Sequence, residues 1–125
     1  MDLGLLNMKH LDSPWVNMVL VALIYAIFLT LLLAKFNYNP TYLISLGEKF
    51  VDFNLIPKNL VVWKNYGYDG QFYYRLALNP FTFQREEFGI NLDSPSYRQQ
   101  RIIYPLITWA LSLGNKELIP WVLVI

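Results

Sequence analysis

Trp15–Ala34 reads WVNMVLVALIYAIFLTLLLA: twenty residues without a charge, whose clearly polar members are Asn17 and Thr30. Wound as an α-helix at about 1.5 Å per residue, such a run is about 30 Å long, the thickness of a bilayer core. A transmembrane helix is therefore expected here. A secretory signal would show a shorter apolar core of about 7–15 residues and a small-x-small cleavage site. Leu33-Ala34-Lys35-Phe36 offers no such site. A buried helix of a water-soluble domain would need more covering chain than the remaining residues supply.

The bulk composition agrees with a membrane reading. Length allows one domain at most. Apolar residues make up 55% of the 125 and charged residues 15%, against a usual charged share of about 25%. Aromatics reach 17%, which suits an interface where a ring keeps one end wet. A net charge of +1 is too small to argue for nucleic acid as a partner. Without cysteine, disulfide and thiolate chemistry are excluded. His10 is the sole histidine and precedes the apolar run, so no His-rich metal site is expected and no cofactor is implied.

Outward from the span, residues 1–14 read as a short mixed lead-in. Residues 35–101 form a juxtamembrane loop holding eight of the ten Lys/Arg and six of the nine Asp/Glu. Pro40, Pro57, Pro80 and Pro95 cut it into short pieces. Thr41–Phe53 is expected to be an amphipathic helix, with Leu43, Leu46, Phe50 and Phe53 at three- and four-residue steps. Leu60–Trp63 is a short apolar run of either state, Gln71–Leu78 reads as helix and Phe81–Asn91 as loop. Ser94–Leu113 reads as one or two helical pieces, with Pro105 marking a kink or a fresh start. Its apolar part, 102–113, is too short for an upright span. Gly114–Glu117 makes a turn, and 118–125 looks like the start of a further span. The fold expected is mainly α and integral to the membrane: one N-terminal transmembrane helix, amphipathic juxtamembrane helices, and the start of an incomplete bundle from a longer multi-spanning protein. A literal positive-inside count places the 35–101 loop in the cytoplasm, although the rule weakens for loops beyond about 60 residues.

Two clusters can carry chemistry. In the first, Tyr66-Gly67-Tyr68-Asp69-Gly70-Gln71-Phe72-Tyr73-Tyr74-Arg75, an acid sits between two glycines at the start of a helix. Taken alone, Asp69 is foremost an N-cap whose carboxylate accepts first-turn N–H groups. In the second, Asp93-Ser94-Pro95-Ser96-Tyr97-Arg98-Gln99-Gln100-Arg101-Ile102-Ile103-Tyr104-Pro105, a helix would put Arg98 and Arg101 on one face. Two guanidiniums before an apolar run can grip a phosphate at headgroup depth. From spacing alone ordinary snorkelling is the favoured reading, and Asp93 reads as a helix cap. The adjacent pair Glu86-Glu87 reads as solvated surface.

The two motifs, in this order after one span, resemble the N-terminal region of bacterial multi-spanning membrane proteins of the GT-C glycosyltransferase type. They are similar to the mannosyltransferases of the glycosylphosphatidylinositol pathway. The resemblance runs from Trp15 to the end of the chain. It implies transfer of a sugar from a polyprenyl-phosphate carrier to an acceptor outside the cytoplasm of a bacterial inner membrane. It places Asp69 as general base on the acceptor hydroxyl. Arg98 and Arg101, with Arg75 behind them, would meet the lipid-phosphate leaving group, while Gln71 and Tyr73 would bind sugar or acceptor. It puts residues 35–101 outside the cytoplasm, against the charge count, and implies that this stretch alone is inactive. The competing expectation is a non-enzymatic membrane protein whose aromatic, basic loop binds lipid or a partner at the interface.

Overall fold

The computed structural model describes residues 13–125; Lys9 and His10 lie outside the described residues. The chain divides into two units, Met1–Tyr38 and Asn39–Ile125.

The first unit contains one long helix, α1, Pro14–Ala34. Pro14 opens it, where a missing N–H costs nothing. Its polar Thr30 donates its hydroxyl to the Ala26 carbonyl at 2.7 Å and so needs no outside partner. Side chains all round the helix are exposed, among them Trp15, Val21, Ile24 and Leu31. α1 is long and apolar enough to cross a membrane, and the expected boundaries are met within a residue. The same length and composition also suit a signal sequence or a core helix.

The second unit is built around α3, Gly70–Leu78, in which seven of nine residues are buried. Around it lie α2 (Thr41–Ile44), α5 (Ile103–Leu111) and α6 (Ile119–Val124), with the short α4 (Pro95–Gln99) leading into α5. Ile44, Leu46, Tyr74, Ala77, Leu78, Ile90 and Ile119 form the main core, and Phe72, Leu76 and Leu92 a smaller one. Each buried Leu, Ile or Phe among these contributes about 1.5–3 kcal/mol when removed from water.

Three sequence expectations are corrected. Thr41–Phe53 is not one amphipathic helix. α2 stops at Ile44 because Ser45 turns left-handed (φ 57°). The chain then pairs as β1, Leu46–Gly47, in parallel with β2, Val62–Trp63, followed by a single 3-10 turn at Glu48–Phe50. Burial of Leu46, at 0% exposure, outweighs helix propensities worth a few tenths of a kcal/mol per residue. Phe81–Asn91 is not all loop: β3, Glu86–Glu87, pairs antiparallel with β4, Ile90–Asn91. Phe88 and Gly89 both take positive φ at the tip, the arrangement of a tight primed hairpin turn. Finally, the break in Ser94–Leu113 falls at residues 100–102 rather than at Pro105, which sits in the first turn of α5. Proline is tolerated there because the N–H it lacks has no intrahelical acceptor.

Candidate functional site

The loop before α3 is held by two backbones in close approach. A Cβ on Gly47 would fall 2.2 Å from the Tyr66 carbonyl carbon, and one on Gly67, whose φ is +66°, would fall 2.3 Å from the Ser45 carbonyl oxygen. Gln71 locks this junction from inside. Its Oε1 accepts the Gly47 N–H at 3.0 Å, and its Nε2 donates to the Tyr66 carbonyl at 2.8 Å. With 1% exposure, Gln71 has both ends of its amide committed to the backbone. It shapes the loop rather than facing a ligand.

That loop delivers Asp69 to the mouth of α3. Asp69 stands at the N-cap position, yet its carboxylate makes no capping hydrogen bond. Its own φ of −57° and ψ of −25° are already helical, whereas a capping side chain requires an extended residue. The carboxylate turns instead to two arginines. Arg98 Nη1 lies 2.9 Å from Oδ1, and Arg101 Nη1 lies 3.6 Å from Oδ2. The Asp69 side chain remains 52% exposed.

Arg98 is 6% exposed. It donates from Nε and Nη2 to the two oxygens of Asp93, at 2.8 and 2.7 Å, the forked geometry a carboxylate fits best. Its guanidinium carbon lies 4.0 Å from the centroid of the Phe72 ring. The hydrogen bonds to Arg98 hold the Asp93 carboxyl below its usual pKa. Asp93, expected as a helix cap, is thus chiefly the partner of Arg98; the N-cap of α4 is Ser94. Asp93 also accepts the Ser94 N–H at 2.7 Å. Arg101 is different. Its side chain is 46% exposed, and it donates to the hydroxyls of Tyr97 and Tyr73, the latter at 3.4 Å.

Asp69 and Asp93 border an open cleft of about 460 Å³ whose other walls include Phe50, Tyr66, Tyr68 and Phe72. Of the six residues expected in a site, Asp69, Tyr73, Arg98 and Arg101 come together through these side-chain contacts, and Asp69 alone of the four lines the cleft. Gln71 lines the cleft but is spent on the loop. Arg75 is fully buried and belongs to another knot. It donates to the Gln84 carbonyl at 2.9 Å and pairs with Glu87 at 3.1 Å. Glu87 is therefore not solvated surface, because Arg75 and the Asn79 amide hold it. Glu86 does stay exposed. Asp93 and Tyr97, which belong to the second sequence cluster but were not expected among the site residues, join those four through Arg98 and Arg101. The Asp93-to-Arg98 spacing was visible, but only the helix start between them brings the pair into register. Among the described residues no group of three or more His, Asp or Glu is placed to hold a metal ion.

Fold and site together define a chain about half helical, with one helix long and apolar enough to cross a membrane, and a carboxylate–guanidinium cluster beside an open cleft. Set against protein families, curated proteins and solved structures, the chain finds no match.

Proposed function

We propose that α1 crosses a membrane and that the second unit contributes Asp69 to a sugar transfer from a polyprenyl-phosphate carrier to an extracytoplasmic acceptor. The observation that carries this reading is the state of Asp69. A carboxylate in a capping position is withheld from capping, half exposed at a cleft, and oriented through both oxygens by arginines. A carboxylate so held can take the proton of an acceptor hydroxyl as its oxygen bonds to the anomeric carbon. As that bond forms, the bond from the sugar to the carrier phosphate breaks, and the phosphate leaves with its electron pair. Arg101, exposed and adjacent, is the cation to meet that charge. Arg98 is already occupied by two carboxylates.

The paired state of Asp69 also favours a second reading, in which the cluster is a structural tie and the exposed aromatics of the unit bind lipid without chemistry. One experiment separates them. In right-side-out vesicles bearing the intact membrane protein, Asp69→Asn is expected to lower transfer from a polyprenyl-phosphate sugar to an external acceptor by about a hundredfold or more. Insertion and folding should be unchanged. Transfer within a few-fold of the parent would leave the structural reading in its place.

A further inference from the structure

A second cleft, of about 520 Å³, shares no lining residue with the Asp69 cleft. Its volume lies within the range of about 300–1,000 Å³ typical of small-molecule sites. Tyr74 of α3 lines it. This side chain is 3% exposed and packs in the main core, yet its hydroxyl makes no hydrogen bond among the described residues. The hydroxyl is not one of the sealed polar atoms left without a partner, so water reaches it where Tyr74 lines the cleft, and an outside group can take that water's place. Burial pushes the phenol up to about 12, so it stays protonated and able to donate at any physiological pH.

The rest of the wall defines what fits. Asn39 and Asn59 bring amides that both donate and accept. Asn39 Oδ1 already accepts two bonds from Thr41, which leaves its NH2 to donate. Lys116 and Glu117 contribute one charge of each sign. The Lys116 ammonium rests 4.3 Å from the Phe88 ring centroid, and a phosphate entering the cleft would meet the Glu117 carboxylate. Trp121 adds an indole that is 36% exposed. Its electron-rich face suits the slightly positive C–H groups on one face of a sugar ring.

We infer that this cleft binds a neutral, hydroxyl-rich ligand, a sugar unit, with Tyr74 as the buried hydrogen-bonding contact and Trp121 as the stacking surface. The assignment does not depend on Asp69 being catalytic, and its test involves no turnover. The full chain is placed in micelles of a detergent without a sugar headgroup. Methyl α-glucoside, methyl α-mannoside and maltose are then added, and saturation-transfer NMR reads binding. At least one sugar is expected to bind with a millimolar Kd. Tyr74→Phe keeps the packed ring and breaks no protein hydrogen bond, so its unfolding midpoint should hold or rise while sugar affinity falls about tenfold. If that variant misfolds, Asn59→Ala, at an exposed position, is expected to fold and to lose affinity several-fold. Absence of binding at about 50 mM of every sugar, well above a millimolar Kd, overturns the inference. So does unchanged affinity in the folded variant, or a preference for inorganic phosphate that Lys116→Gln abolishes.

Discussion

Arg75 and Arg98 are both buried arginines reached from a core helix or its neighbour, and the two sites they organise differ in every other respect. Arg75 is shut in. It pairs with one carboxylate and one carbonyl, and its Nε and Nη1 find no hydrogen-bond partner. Burial pulls its pKa down, with Glu87 opposing. Arg98 is nearly as buried, but it faces two carboxylates that are 35% and 52% exposed at a cleft. Hydrogen bonding to Asp93 outweighs burial and raises its pKa. The first arrangement can only tie β3 to α3. The second spends a buried cation on fixing carboxylates that water or a ligand can reach, which is the arrangement a working site needs.

This contrast can be broken at its stronger end. Arg75→Ala strands Glu87 beside a cavity and is expected to cost about 3–5 kcal/mol of unfolding free energy. The double change Arg75→Met with Glu87→Leu should restore most of that, because an under-paired buried ion pair is often replaceable by apolar packing. Denaturant unfolding of both variants measures it; a double variant as unstable as the single one would mean that the ion pair itself holds the hairpin.

A smaller loss is expected for Arg98→Ala, about 2–3 kcal/mol, since both freed carboxylates can turn toward water. The same substitution should let the Asp69 side chain wander, read as a shift of its carboxyl resonance by NMR. An unmoved resonance would mean that the Arg98 contact does not hold Asp69.

The smallest effect is one of pH. The Asp93 pKa is lower in the folded than in the unfolded chain. Its contribution is therefore complete above the unfolded value of about 3.9 and is lost as pH falls through the folded one. Between pH 6 and pH 3 the wild type should lose more stability than Asp93→Asn does. Parallel curves for the two proteins would remove Asp93 from the account.

The differences between expected and observed elements have one physical source. α1 and α3 were legible because each is a continuous stretch whose apolar pattern fits a single helix. Thr41–Phe53 carried an equally helical pattern, but its Leu46 finds a deeper place as strand against Val62. A hairpin as short as Glu86–Asn91 leaves too few residues for an alternating pattern to show. At the site, the residue types were visible and their partnerships were not. Asp69 and Asp93 both looked like caps because helix starts follow them, and a capping rule considers only neighbours in sequence.

What the sequence alone determined is therefore local: an apolar helix at Trp15–Ala34, the α3 helix, and the presence of Asp69, Arg98 and Arg101 in two polar clusters. Chain order and side-chain character are enough for these, since each is set within a few turns of backbone. Tertiary structure alone decided which of three arginines reach Asp69, that Gln71 serves the loop and Arg75 the core, and that the Tyr74 hydroxyl is left without a partner. These outcomes depend on burial and on contacts between residues that packing around α3 brings together.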